Sequence, residues 1–240
     1  MESLLVVRLG LVPYEEALAA QRALEAARAG GEIPDTVLML EHPPVYTQGR
    51  RSSPDELPMG EDWYRMQGIE VVATDRGGQL TYHGPGQLVA YPIMDLRALA
   101  EPDDVHSYVR RMERAMIAAL AGFGIEAGPI DTLTGVWVGS DPPPAGEARK
   151  IGSIGIHVRR GITTHGLAVN VANDLQPFEW VVPCGIEACR MTSLTRELGA
   201  EQDVGAFATA LAARLGEVYE REPVETAAEE ILGRLSLGAR

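Results

Sequence analysis

Residues 150–171 read KIGSIGIHVRRGITTHGLAVNV, and this stretch decides the fold. Residues 151–158 read as a strand, with Ile154, Ile156 and Val158 alternating with small or polar side chains. Arg159-Arg160-Gly161 has the make-up of a tight turn, and residues 162–171 resume the strand pattern. Two strands joined so closely must run antiparallel. Outward from this hairpin, strand-like and helix-like segments alternate. Strands are expected at 4–9, 36–42, 69–74, 87–96 and 133–138. Helices are expected at 13–29, 104–121, 204–220 and 225–235. Val105, Tyr108, Val109, Met112, Met116, Ala119 and Leu120 share one face of the second helix. Pro92 marks an edge or a strand end. Residues 50–60 and the turn-rich GSDPPPAGEA (139–148) read as loops. An antiparallel hairpin among alternating strands and helices predicts an α/β fold with a mixed β-sheet flanked by helices, not a doubly wound parallel one.

The chain has 240 residues, 45% hydrophobic and 23% charged, with a formal net charge of −13. That is enough apolar residue for a sizeable core. The acidic balance argues against broad nucleic-acid binding, because the summed field repels a polyanion. No apolar run approaches the ~18 residues of a membrane span, and the first residues lack the marks of a secretory signal, so the expected location is cytoplasmic. Two cysteines, Cys184 and Cys189, make no disulfide framework. Of 21 basic residues, 20 are Arg and one is Lys150. Arg stays protonated, whereas Lys can give up its proton, so a lone Lys in an Arg-rich chain hints at chemistry that Arg cannot perform.

Phosphate-loop and dinucleotide glycine signatures are absent, and no zinc-deaminase spacing occurs. His157, His165, Cys184 and Cys189 show no recognised ligand spacing, so no metal and no cofactor are expected. Three segments carry polar chemistry. In RGGQLTYHGPGQ (76–87), glycines allow close backbone approach beside Arg, Thr, Tyr and His donors. The hairpin segment carries Arg149, Lys150, Arg159 and Arg160 with no carboxylate between Ala148 and Asn173. In PCGI (183–186), Cys184 sits at a sharp turn; a thiol of ordinary pKa, ~8.5, is mostly protonated at neutral pH and needs a cation or base nearby. Cys189, with nothing distinctive beside it, reads as a structural residue.

RGGQLTYHGPGQLVAYP (76–92), KIGSIGIHVRRGITTHGLAVNV (150–171) and PCGI with MTSL (183–186 and 191–194) together resemble the lipoyl(octanoyl) transferases, as does EHPPVYTQGR (41–50). The resemblance implies one catalytic domain over residues 1–240, with a motif-bearing core at about 35–200. It also implies the fold of lipoate and biotin protein ligase catalytic domains. The implied reaction moves octanoyl from acyl carrier protein to a lysine of lipoyl domains, through a thioester on Cys184 assisted by Lys150. The implied acceptors are the lipoyl domains of 2-oxoacid dehydrogenases and the glycine cleavage H protein. The implied acyl pocket comprises Arg76, Gly77, Gly78, Gln79, Leu80, Thr81, Tyr82 and His83, then Ser153, Ile154 and Gly155, then Gly166, Leu167 and Ala168. His83 would orient a polar group or serve as a structural histidine.

On the residues alone, other readings compete: an ATP-dependent ligase on the same fold, a cysteine hydrolase pairing Cys184 with His83 or His165, and a carrier-binding module. The implied protein partners are acidic like the chain itself. Their docking must therefore use local basic patches, for which Arg50-Arg51, Arg149 and Arg159-Arg160 are the candidates.

Overall fold

The computed structural model describes residues 2–99, 104–181 and 189–237. Cys184 and the PCGI motif lie outside them.

The hairpin forms as expected. Strand Arg149–Arg159 pairs antiparallel with Ile162–Asn170. Arg160 and Gly161, at φ 54° and 83°, make the turn. Both central residues at positive φ give the twist that suits a two-residue hairpin.

Numbered in chain order, the strands are β1 (Glu2–Leu11), β2 (Asp35–Glu41), β3 (Val45–Gln48), β4 (Glu70–Ala73), β5 (Thr81–His83), β6 (Gln87–Ile93), β7 (Gly128–Ile130), β8 (Leu133–Val138), β9 (Arg149–Arg159), β10 (Ile162–Asn170), β11 (Arg190–Met191) and β12 (Arg221–Glu225). The helices are α1 (Tyr14–Ala29), α2 (Glu61–Met66), α3 (Val105–Gly122), α4 (Gln176–Glu179), α5 (Leu194–Leu198), α6 (Val204–Tyr219) and α7 (Ala228–Leu237).

The large sheet runs β12-β1-β2-β6-β10-β9-β8-β7, with β11 paired to β9; β3 is the centre of a small sheet ordered β4-β3-β5. Parallel pairs β12–β1, β1–β2 and β11–β9 sit beside antiparallel ones, so the sheet is mixed. Its central strands are buried on both faces. Val37 and Met39 of β2 join the layer built on α3 and α6, while Leu38 and Leu40 join the layer with α1 and α7. Successive side chains of a strand point to opposite faces, which is why an unbroken apolar run is required there. A third cluster, containing Tyr46, Tyr64, Tyr82 and Phe178, holds the small sheet to α2 and α4.

Several expectations are corrected. β6 is interior, between β2 and β10, so Pro92 marks no edge; the other reading, a strand end, holds, since β6 stops at Ile93. It sits where β10 departs from β6: their ladder stops at Leu167–Ala90, while β2 still pairs Val37 with Pro92. Val105 opens α3 exposed to solvent, because its turn precedes the part of the helix that meets the sheet. Strands β3, β5, β7, β11 and β12 and the short helices α2, α4 and α5 add to the expected elements. Two of the proposed docking cations are already engaged: Arg149 pairs with Glu197 at 2.9 Å and Arg159 with Glu25 at 2.7 Å. Arg50, Arg51 and Arg160 are exposed.

Candidate active site

The face of the large sheet turned toward α1 and the small sheet holds a cavity of about 240 Å³. Its floor is β9 and β10, represented by Lys150, Ser153, Ile154 and Gly155, and by His165, Gly166, Leu167 and Ala168. Its opposite wall comes from the glycine-rich segment, with Arg76, Gly78, Gln79, Thr81 and His83. Sequence reasoning thus singled out most of the lining, and the structure brings these segments together. Gly77, Leu80 and Tyr82 do not line the cavity. Leu80 and Tyr82 alternate with Thr81 and His83 along the strand and turn into the aromatic cluster on the other side.

Close backbone approach explains the glycines. The Gly77 amide donates to the Ile156 carbonyl at 2.8 Å. A Cβ on Gly155 would stand 2.9 Å from the Gly77 carbonyl, and one on Gly49 would stand 2.5 Å from the Gly78 carbonyl. Arg76 is buried and donates to the hydroxyl and carbonyl of Thr47 and to the Gly77 carbonyl.

Lys150 is 4% exposed and lines the cavity. Its Nζ lies 5.2 Å from the centroid of the Trp137 ring, a cation–π arrangement for the charged form. Gly135, at φ 120°, passes so close that a Cβ there would stand 2.7 Å from Lys150 Cε. The Gly135 amide donates to the buried Glu113 carboxylate at 2.9 Å, which fixes that backbone against α3. On the other side, Met191 of β11 pairs with Lys150, and the Thr192 amide donates to the Lys150 carbonyl. The chain that follows the PCGI motif therefore runs directly alongside Lys150. Cys189 is half-buried, with its Sγ 3.9 Å from the Met191 sulfur.

Tyr14, Arg51, Tyr91, Thr132, Leu133, Thr134 and His165 also line the cavity. None of them belongs to the acyl pocket that the resemblance implies. Tyr14, His42, His83, Tyr91 and His165 form one ring cluster, with neighbouring centroids 5.1–6.3 Å apart. His165 adopts φ 57°, an uncommon left-handed conformation for a residue with a side chain. Its amide is held at 2.6 Å by Gln21 Oε1, on the buried face of α1. The available signal was Gln21 itself, a polar residue spaced between Ala17 and Leu24 on the apolar stripe of a helix.

Burial sets the charge of these histidines. It lowers His42 to about 4. His83 falls to about 3, through burial first and then the charges of His42 and Arg76. Burial lowers His165 as well, against the raising effect of Asp75 at 2.7 Å. All three are neutral near pH 7. In the unfolded chain histidine titrates near ~6.5, so below that pH the unfolded state binds protons that the folded state refuses. The stability due to neutral His42 and His83 is complete above ~6.5 and declines as pH falls toward their folded values. We expect a loss of about 3 kcal/mol between pH 8 and pH 5.5 from these two residues together. Denaturant unfolding at the two pH values measures it; an unchanged free energy would contradict the assignment.

The family model of the lipoyl protein ligase A/B catalytic domain matches residues 13–216. An octanoyltransferase of Myxococcus xanthus is 42% identical over 225 residues, 94% of this chain and 62% of the relative. An octanoyltransferase of Mycobacterium sp. (strain KMS) is 49% identical over 210 residues, 88% of this chain and 83% of the relative. Among solved structures, a bi-partite lipoate protein ligase of Thermoplasma acidophilum, solved in a study of an archaeal lipoylation system, superimposes with a TM-score of 0.73 at 18% identity, covering 99% of this chain and 91% of that one. At that identity the likeness speaks for the fold.

Proposed function

The chain belongs to the family of lipoyl protein ligase A/B catalytic domains, and from that footing we propose that it is an octanoyltransferase of protein lipoylation. It takes octanoyl from the thioester of an acyl carrier protein onto Cys184 and passes it to a lysine of a lipoyl domain. The observation that carries this reading is the 49% identity to an octanoyltransferase across 88% of the chain.

In the first step the Cys184 thiolate adds to the thioester carbonyl, and the tetrahedral oxyanion collapses with release of the carrier thiolate. One thioester is exchanged for another, so the barrier lies in making the thiolate and stabilising the oxyanion. A charged Lys150 favours the thiolate. In the second step the lysine amine of the lipoyl domain attacks the acyl-enzyme. Lys150 enters this step neutral, having given its ammonium proton to the departing carrier thiolate; it takes a proton from the attacking amine, and the Cys184 thiolate leaves. Ser153, Gly155, Gly166 and Ala168 leave room for an unbranched chain over β9 and β10. Burying the six methylenes of the octanoyl chain there stabilises the complex by about 5 kcal/mol at ~0.8 kcal/mol per methylene.

Incubating the protein with octanoyl-carrier protein and an unmodified lipoyl domain, without ATP, tests the reading. Intact mass is expected to show an octanoylated domain; modification only when ATP and free octanoate are supplied would point to a ligase.

The position of Lys150 supplies a second test. Gly135→Ala places a methyl against Lys150 Cε and the Gly152 carbonyl. Displacing a reacting group by about 1 Å costs on the order of 10²-fold in rate. Turnover is expected to fall by roughly that factor while the protein stays folded; turnover within twofold of the parent would show that Lys150 needs no such placement.

A further inference from the structure

Glu113 is a carboxylate on the buried face of α3, beside Met112 and Met116 of the core, and it is 2% exposed. A charge so placed needs hydrogen-bonding partners. Arg110, exposed at the helix surface, donates to its Oε2 at 2.7 Å. The Gly135 amide of β8 donates to its Oε1 at 2.9 Å.

The strands explain why that amide turns to a helix. β7 and β8 pair Ile130 with Leu133 and Gly128 with Trp137. Between those pairs β7 has only Pro129, whereas β8 has residues 134–136. Proline has no N–H, and a single residue cannot partner a longer stretch opposite it. On its other edge β8 pairs with β9 from Val136 onward, and the register shifts at once. Val136 faces Gly152 and Trp137 faces Lys150, so Ile151 is the extra residue of a bulge. Gly135 is thus paired in neither ladder. It is buried, and Glu113 supplies the partner that the sheet does not.

The bulge begins at Lys150. The Lys150 stem runs so near Gly135 that a Cβ there would stand 2.7 Å from Cε, and 2.5 Å from the Gly152 carbonyl. On the α3 side, a Cβ on Gly152 would meet the sulfur of Met116, one turn after Glu113, at 2.8 Å. Across from Gly135 stands the Trp137 ring, its centroid 5.2 Å from Lys150 Nζ. With packing this close, a shift of the Gly135 backbone is passed on to the lysine stem.

We propose that Glu113 is a positioning residue for acyl transfer: through the Gly135 amide it holds the β8 backbone that seats the Lys150 amine. The proposal rests on the reading of Lys150 as the proton carrier of the reaction. Glu113 is not among the residues that line the active cavity, so its effect passes through Gly135. Its reach to that amide is what counts, and its charge is not.

Two conservative variants separate reach from charge. Glu113→Gln keeps the length and an acceptor oxygen for Gly135; the exposed Arg110 then turns to water. Glu113→Asp keeps the charge but is shorter by one carbon–carbon bond of ~1.5 Å, too short for the contact with Gly135. Lys150 is the only lysine of the chain, so protein made with lysine isotope-labelled at Cε gives one side-chain signal by NMR. Protons near the face of an indole resonate upfield of those of free lysine. That shift is expected to persist in Glu113→Gln and to collapse toward the free-lysine position in Glu113→Asp. Transfer from preformed acyl-enzyme to the lipoyl domain is expected to fall by on the order of 10²-fold in Glu113→Asp, at a KM within about twofold of the parent. In Glu113→Gln it is expected to stay within about threefold. A Lys150 signal unmoved in Glu113→Asp, or moved equally in both variants, would overturn the proposal. So would parent-level transfer by Glu113→Asp. The signal is read without turnover, so a parent protein that transfers no octanoyl while the signal divides the variants as expected keeps the seat and loses only the transferase reading.

Discussion

Cys184→Ala is expected to abolish the covalent octanoyl adduct and to lower transfer to the lipoyl domain by on the order of 10⁴-fold or more, whereas Cys189→Ala keeps both. Loss of a nucleophile removes the route through the acyl-enzyme, and what survives is the contribution of binding and positioning. Cys189 is half-buried against Met191 and the clusters around Tyr64 and Trp137. It belongs to the packing that seats β11. Cys184 is five residues upstream, in the Pro-Cys-Gly sequence of the PCGI motif. Intact mass after mixing with octanoyl-carrier protein separates them. An adduct persisting on Cys184→Ala at the parent level would refute the assignment.

Lys150→Arg is expected to separate the two half-reactions. Arg keeps the positive charge that favours a thiolate, so some acylation of Cys184 survives. It cannot take a proton from the attacking amine, so transfer to the lipoyl domain is expected to fall by about 10²–10⁴-fold, the range of general-base catalysis. The larger guanidinium must also fit between the Trp137 ring and the Gly135 backbone, which crowd the lysine stem. Single-turnover experiments that start from carrier-bound octanoyl and from preformed acyl-enzyme resolve the two rates. Equal slowing of both steps would deny Lys150 a role as base, and near-parent transfer would remove it from the mechanism.

The fold was readable wherever a long periodic segment met a distinctive turn. The Arg-Arg-Gly turn announced the β9–β10 hairpin, and that hairpin among alternating strands and helices pointed to a mixed sheet. Short strands were not readable. Three residues, Thr81–His83, cannot show a period of two, and the alternation that turns Leu80 and Tyr82 away from the cavity appears only once β3 is beside them. Strand β12 reads REPVE, charged and containing Pro223; it is tolerated because it lies at the sheet edge, where Glu225 pairs with Arg8 at 2.7 Å. Pro92 marked the end of a strand, not an edge. Its missing amide falls where β6 and β10 part, so an interior strand accepts it.

Of the candidate site, the glycine-rich wall, the hairpin floor and the lone lysine were legible. The ring cluster was not, because its members come from α1, β5, β6, β10 and the end of β2. Their protonation depends on partners such as Val12, Gln87 and Asp75 that share no motif with them. The basic patches were legible as charge but not as available charge, since Arg149 and Arg159 are spent on Glu197 and Glu25.

The most direct test is a chase of the isolated acyl-enzyme. The protein is mixed with octanoyl-carrier protein without ATP, freed of donor, mapped by peptide mass and then given an unmodified lipoyl domain. The octanoyl group is expected on Cys184 and then, in equal amount, on the domain lysine. Octanoylation of the domain with no acyl-enzyme on the path, or only after ATP is added, would contradict the account.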